Sequence, residues 1–156
     1  MSIFNLKSVF AKYDKVFFDF KLKSISGDEI NLSDYKGKTI LLVNVASRCG
    51  FTKQYDDLQK IWDTYKNKGF VVIGMPSNQF GSQEPGTNEE IKEFCEVNFN
   101  ITFPVTAKAE VKGDNAHEIY KWAFKNHGKS TIPKWNFHKI LINPNGKIED
   151  LSLIHI

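Results

Sequence analysis

The sequence predicts an α/β fold, in which a mixed central sheet is flanked by helices and preceded by an N-terminal β-hairpin. Two continuous apolar runs, Thr39–Val45 and Phe70–Pro76, have the length and the β-branched content of buried strands. Between them, residues 52–68 carry apolar side chains at steps of three and four, and Gly69 follows as a helix C-cap would. A strand, a helix and a strand in this order form a right-handed crossover, which makes the two strands parallel.

The N-terminal part of the chain predicts the hairpin. Residues 16–25 alternate apolar and polar side chains, a glycine turn follows, and residues 30–32 resume extended structure. One helical turn capped by Ser33 is expected before the first long strand. Residues 1–15 are interpreted as an extension, with a docked helix or a weak targeting segment as the alternatives. Residues 16–156 are predicted to form a single domain.

The C-terminal half predicts two helices and a strand pair. Thr87 and Glu90 have the spacing of a capping box and begin a helix. Asp114 or Asn115 is expected to cap the next one. Residues 134–142 are predicted to be extended, and a strong turn signal then returns the chain as an antiparallel partner strand.

Length and composition limit the classes of protein to which this chain can belong. A chain of 156 residues with 41% hydrophobic and 25% charged residues is typical of one globular domain. The net charge of +3 is small, and lysines and glutamates are interspersed, so nucleic-acid binding is not supported. No apolar run approaches the roughly 18 to 20 residues of a membrane span, and no secretory signal is recognised. We therefore expect a soluble, cytoplasmic protein.

The two cysteines are the candidate reactive groups. Neither has a cysteine or histidine partner at metal-ligand spacing, so no metal and no cofactor are expected. In a reducing compartment a structural disulfide is not expected either, which leaves reactive chemistry or plain burial.

Cys49 lies in the predicted turn between the first long strand and the helix after it. Unpaired backbone N–H groups and the positive end of the helix dipole meet there, and Arg48 is adjacent, so the nucleophilic thiolate is favoured. The alternative is a small buried hydrophobe, because free cysteine is usually an inert core residue. The polar, glycine-rich residues 78–86 form a loop at the carboxyl end of the second strand and face the same crevice.

Four stretches of the chain occur in an order and spacing that resemble the glutathione peroxidase family, in its cysteine-containing, non-selenium, thioredoxin-dependent form. They are NVASRCGFT, PSNQFGSQEPG, EEIKEFC and KWNFHK. The similarity runs from about residue 16 to residue 150. The resemblance implies a thioredoxin-like fold and the reduction of hydrogen peroxide or organic hydroperoxides.

The resemblance also implies roles for individual residues. Cys49 matches the peroxidatic cysteine, and Gln83, Trp135 and Asn136 match the other members of the family's tetrad. Their amide and indole groups are neutral donors that can point at sulfur without competing for its charge. Read without the resemblance, Gln83 fits a solvated loop, Trp135 a core aromatic and Asn136 a hydrogen bonder at a strand end.

Cys95 falls where thioredoxin-dependent members carry their resolving cysteine, which would condense with the oxidised Cys49 to a disulfide. It also lies on the apolar stripe of its helix, as a core cysteine does. The reductant is expected to be a thioredoxin-type protein or glutathione.

Two other functions are compatible with the same fold. A thiol-disulfide oxidoreductase is a weaker alternative, because Thr52 stands where a Cys-x-x-Cys motif needs its second cysteine. A peroxide sensor or thiol-disulfide relay on the same fold remains open.

Two departures from the family pattern carry further expectations. The connection between His127 and Trp135 is short, which favours a monomer or a weak dimer. The printed sequence stops at residues 151–156, where the family continues into a C-terminal helix. Exposed apolar surface is the expected consequence.

Overall fold

The computed structural model describes residues 13–152. Of the predicted N-terminal extension, only residues 13–15 belong to this part. The helix or targeting segment considered for the first residues lies outside it, and so does the expected apolar surface at the C-terminal end.

The centre of the molecule is a four-stranded mixed sheet with the strand order β4-β3-β5-β6. Strands β3 and β4 are parallel, and their last residues, Val45 and Pro76, are partners, so both strands end at the same edge. Strand β5 pairs antiparallel with β3, and β6 with β5. A separate antiparallel hairpin, β1 with β2, precedes the sheet. The strands are β1 (Lys21–Lys23), β2 (Glu29–Asn31), β3 (Thr39–Val45), β4 (Phe70–Pro76), β5 (Lys139–Ile142) and β6 (Ile148–Ser152).

Helices cover the two faces of this sheet. They are α1 (Gln54–Tyr65), α2 (Asn88–Phe99) and α3 (Glu118–His127). Side chains alternate along β3: Ile40 and Leu42 join the apolar cluster that contains α3, whereas Leu41 and Val43 join the cluster that contains α1 and α2. A strand buried on both faces explains why the run is apolar without interruption.

Several expectations about these elements are confirmed. The two long strands have the predicted bounds, and they form the predicted parallel pair. Gly69 adopts a left-handed conformation (φ 78°) after α1, as a C-cap does. Thr87 and Glu90 form the predicted capping box of α2, with the Glu90 N–H donating to Thr87 Oγ1.

Three expectations about boundaries are wrong. The helical turn after the hairpin is capped by Asn31, which accepts from the Ser33 N–H, and not by Ser33. Helix α3 is capped by His117, whose Nδ1 accepts from the Ile119 N–H, and not by Asp114 or Asn115. Strand β5 begins only at Lys139.

Two further findings concern residues 13–152 as a whole. None of the helices in this part is long and apolar enough to span a bilayer. Within the same residues, histidine, cysteine and acidic side chains nowhere gather in groups of three or more that could hold a metal ion.

Candidate active site

Cys49 lies in the turn between β3 and α1, and hydrogen bonds fix the conformation of that turn. The Cys49 N–H donates to Thr52 Oγ1 (2.9 Å), and the Thr52 hydroxyl donates to the Ala46 carbonyl (2.9 Å). The Phe51 N–H donates to Cys49 Sγ at 3.3 Å. A hydrogen bond from a backbone N–H to sulfur strengthens when the sulfur is negative, which suits a nucleophile. Cys49 is half-buried, so part of its surface remains accessible to a small molecule.

Thr52 stabilises the turn, and it occupies the position where a Cys-x-x-Cys motif would carry its second thiol. Its side chain is 9% exposed, and its hydroxyl both accepts and donates within the turn. The turn therefore presents one sulfur atom and no adjacent thiol with which it could form a disulfide.

Gln83 joins the loop after β4 to this turn. Its backbone carbonyl accepts from the Arg48 N–H at 3.0 Å, next to Cys49. Its side-chain Oε1 accepts from Asn136 Nδ2 at 2.8 Å. Because Oε1 is engaged by Asn136, the amide nitrogen of Gln83 is the end that can donate to a reacting atom.

Trp135 and Asn136 lie on the segment that enters β5. Asn44 at the end of β3 donates through Nδ2 to the Trp135 carbonyl (2.9 Å), which ties this segment to the central strand. The Trp135 ring packs edge-on against Phe80, with centroids 5.8 Å apart. Asn136 is fully buried and also approaches the Phe80 carbonyl, at 3.4 Å.

The segments that carry the four residues proposed from the sequence are thus connected, and one direct side-chain hydrogen bond, from Asn136 to Gln83, joins two of the four. Cys49 is joined to Gln83 through Arg48, Gln83 is bonded to Asn136, and Trp135 adjoins Asn136 in the chain. Sequence reasoning missed the residues that support them, above all Asn44. An asparagine inside an otherwise apolar strand was the available signal, since a buried polar side chain needs a partner.

Gly81 is a second supporting residue that the sequence did not single out. Its φ of +66° is left-handed, and a Cβ there would lie 3.1 Å from Trp135 Cη2 and 3.5 Å from Gln83 Cδ. A side chain at this position would therefore push on two members of the site at once.

If Cys49 reacts with peroxide, as the resemblance implies, Gly81→Ala is expected to lower the rate of that reaction about tenfold or more, because small displacements of groups that act on a reacting atom are costly. The backbone strain should also reduce the free energy of unfolding by roughly 1 kcal/mol. Gly113→Ala is the matched control, since Gly113 has a φ of +84° and a Cβ added there would have no neighbouring atom within 4 Å. It should show the same loss of stability and the wild-type rate. Equal rates in the two variants would contradict the supporting role of Gly81.

Cys95 lies on the buried face of α2 and is 3% exposed. Burial raises the pKa of its thiol to about 11, and Glu84 and Glu96 add to this shift while the nearby Tyr55 hydroxyl opposes it. Both cysteines are free, although Cys49 packs at the edge of the apolar cluster that contains Cys95. In this state Cys95 is a protonated thiol inside a folded helix.

Glu84 is a buried carboxyl in the same loop as Gln83, and sequence reasoning did not select it. It is 1% exposed, and none of the described residues donates a hydrogen bond to its Oε2. Burial raises the pKa of the carboxyl, while Ser47, Lys108 and Arg48 act in the opposite direction. The signal was an acid inside a loop that carries no other charge.

A mixed sheet covered by helices, with an N-terminal antiparallel hairpin and a thiol at a strand-to-helix turn, is a thioredoxin-like fold. The fold is supported by similarity to a solved structure, a thiol:disulfide interchange protein of the thioredoxin family from Chlorobium tepidum. The TM-score is 0.65 at 17% identity, over 86% of this chain and 81% of that one.

Comparisons with known sequences identify the protein family. The family profile described as glutathione peroxidase matches residues 17–124. The chain is 44% identical over 136 residues to glutathione peroxidase-like peroxiredoxin 2 of Saccharomyces cerevisiae, covering 85% of this chain and 83% of the relative. It is 41% identical over 146 residues to hydroperoxy fatty acid reductase gpx1 of Synechocystis, covering 88% and 86%. The chain belongs to the glutathione peroxidase family and is a peroxidase.

Proposed function

We propose that Cys49 is the peroxidatic residue of this thiol peroxidase and that Gln83, Trp135 and Asn136 are its neutral donors. The observation that carries the proposal is the hydrogen bond of 2.8 Å between Asn136 and Gln83, in a loop bonded to the backbone next to Cys49. Hydrogen peroxide and organic hydroperoxides are the substrates. The name of the Synechocystis relative supports fatty-acid hydroperoxides among them. The protein acts in the cytoplasm.

The first step is the attack of the Cys49 thiolate on one oxygen of the peroxide. The O–O bond breaks, the sulfur gains a hydroxyl group, and the other oxygen leaves as alkoxide or hydroxide and takes up a proton. The thiolate is oxidised to a sulfenic acid, and the peroxide is reduced to an alcohol or water. The amide and indole donors stabilise the charge that moves from sulfur to the leaving oxygen.

The second step needs Cys95 to leave its buried position. Attack by the Cys95 thiolate on the sulfenic sulfur forms the S–S bond and breaks the S–O bond, and the hydroxide that leaves takes up a proton to give water. In the folded helix the pKa of Cys95 is about 11, against an ordinary value of 9.0. Opening of α2 removes the burial that raises the pKa of Cys95 and therefore increases the fraction of thiolate near neutral pH. Opening of α2 also exposes the sulfur of Cys95, so formation of the disulfide depends on opening of this helix.

A thioredoxin-type protein is the proposed reductant, with glutathione as the alternative. An intramolecular disulfide between the half-buried Cys49 and a cysteine of an opened helix is accessible to a second protein with a dithiol. Dithiol exchange restores both cysteines in one cycle. The protein is proposed to act as a monomer or a weak dimer.

The test is peroxide consumption, followed with thioredoxin and its reductase and, separately, with glutathione and its reductase. Hydrogen peroxide and a fatty-acid hydroperoxide serve as substrates. Turnover with thioredoxin should exceed turnover with glutathione at least about tenfold, since glutathione must reduce the disulfide in two separate exchanges. Equal rates with glutathione would contradict the choice of reductant. Consumption of one equivalent of peroxide without turnover in either system would favour a sensor or relay protein.

A further inference from the structure

Lys139, the first residue of β5, is a buried lysine that the proposed chemistry leaves without a role. It is 2% exposed, in contrast to most lysines, which reach solvent through a long flexible stem. Burial lowers the pKa of its ammonium group to about 8. Removing a charged ammonium group from water costs free energy, which hydrogen bonds within the protein must offset.

The ammonium group of Lys139 connects two parts of the candidate active site. It donates to Gln54 Oε1 at 2.6 Å and to the Phe137 carbonyl at 2.7 Å. Gln54 is the first residue of α1, the helix that begins just after Cys49. Phe137 directly follows Asn136. Lys139 therefore links the helix on the Cys49 side to the segment on the donor side.

The Phe137 backbone is held in an unfavourable conformation. Its φ is +64°, a left-handed value that a bulky side chain rarely adopts. Its N–H donates to the Asn44 carbonyl at 2.6 Å, and its ring packs edge-on against Tyr55 with centroids 5.4 Å apart. The bond from Lys139 holds the carbonyl on the other side of the same residue. Such a conformation persists only when the surroundings fix it from several directions.

This conformation directs consecutive side chains to different places. The Phe137 ring enters the cluster beneath α1, while the Asn136 side chain is bonded to Gln83 and the Phe80 carbonyl. Loss of the link at Phe137 would let the chain relax, and Asn136 would then shift relative to Gln83.

We infer that Lys139 is a positioning residue for peroxide reduction, which fixes Trp135 and Asn136 relative to Cys49 by binding Gln54 and the Phe137 carbonyl together. The inference rests on the proposed function of Cys49 and its donors. It adds a residue that does not touch the peroxide and acts through Asn136.

Lys139→Met tests the inference, because methionine fills similar space without donors. The rate of Cys49 oxidation by hydrogen peroxide, followed through tryptophan fluorescence in single turnover, should fall at least about tenfold. The rate of Cys49 alkylation by iodoacetamide should stay within about twofold, since alkylation needs the thiolate and no donor for a leaving oxygen. Lys121→Met, at an exposed site on α3, is the control for lost charge and should leave both rates unchanged.

Gln54→Leu removes the partner of the ammonium group on α1 and serves if Lys139→Met does not fold. Like Lys139→Met, this variant should lower the rate of Cys49 oxidation by peroxide and leave the rate of Cys49 alkylation unchanged. Peroxide oxidation at the wild-type rate in a folded variant would overturn the inference, and so would an equal loss in both reactions, which indicates a general disturbance of the turn. A wild-type Cys49 that does not react with peroxide would instead overturn the proposed function.

Discussion

Replacement of Cys95 by serine is expected to stop thioredoxin-dependent turnover and to leave the first reaction of Cys49 with peroxide intact. Serine cannot attack a sulfenic acid to form a disulfide, so the oxidised enzyme has no bond that a dithiol reductant can exchange. Cys95 lies inside α2 and is not one of the proposed donors, so the oxidation step is expected not to depend on it. The variant should consume one equivalent of peroxide and then stall.

Two measurements separate these steps. Stopped-flow fluorescence gives the rate of oxidation, and a coupled assay with thioredoxin and its reductase gives turnover. A serine hydroxyl in the apolar cluster costs about 1 to 2 kcal/mol if it finds no partner. Cys95→Ala is therefore made as well, because it removes the thiol without burying a polar group. Wild-type turnover in both variants would show that Cys95 is a core residue only.

Cys49→Ser is expected to abolish peroxide reduction, by about a thousandfold or more, because a hydroxyl at neutral pH is not ionised and is a poor nucleophile towards peroxide. The fold should persist, since serine oxygen can accept the Phe51 N–H that the sulfur accepts now. A melting temperature within a few degrees of the wild type checks this.

Cys95 provides the internal control in that variant. Its burial and a pKa of about 11 keep it protonated, so peroxide should leave it unoxidised in the folded protein. Mass spectrometry after peroxide treatment would show both the loss of oxidation at position 49 and the intact thiol of Cys95. Rapid oxidation of Cys95 would contradict the picture of a closed α2.

The parts of the fold that could be predicted are those with a local pattern. Strands β3 and β4 are continuous apolar runs, and the Thr87 capping box depends on residues three apart. The caps at Asn31 and His117 were missed because several polar residues nearby can accept the same N–H groups. The start of β5 was missed because the left-handed Phe137 depends on contacts from distant strands and helices.

The candidate site divides in the same way. The position of Cys49 in the turn before α1 follows from hydrophobic periodicity, whereas Gln83 and Asn136 came from resemblance to a family. The hydrogen-bond partners of the supporting residues Asn44 and Lys139 could not be predicted, because these bonds join positions 91 and 85 residues apart in the chain. A single sequence does not record which distant polar groups meet.

That separation along the chain has a consequence for the order in which the protein acquires its reactivity. The turn at Cys49 and the parallel pair β3 and β4 form from residues 39–76. Trp135 and Asn136 arrive only when β5 pairs with β3, which closes a long loop at a greater entropic cost. A nascent or partly unfolded chain therefore carries Cys49 without its donors, and we expect that thiol to react with peroxide only as slowly as a free cysteine. We therefore expect the reactivity of Cys49 towards peroxide to reach its full value only after β5 has paired with β3.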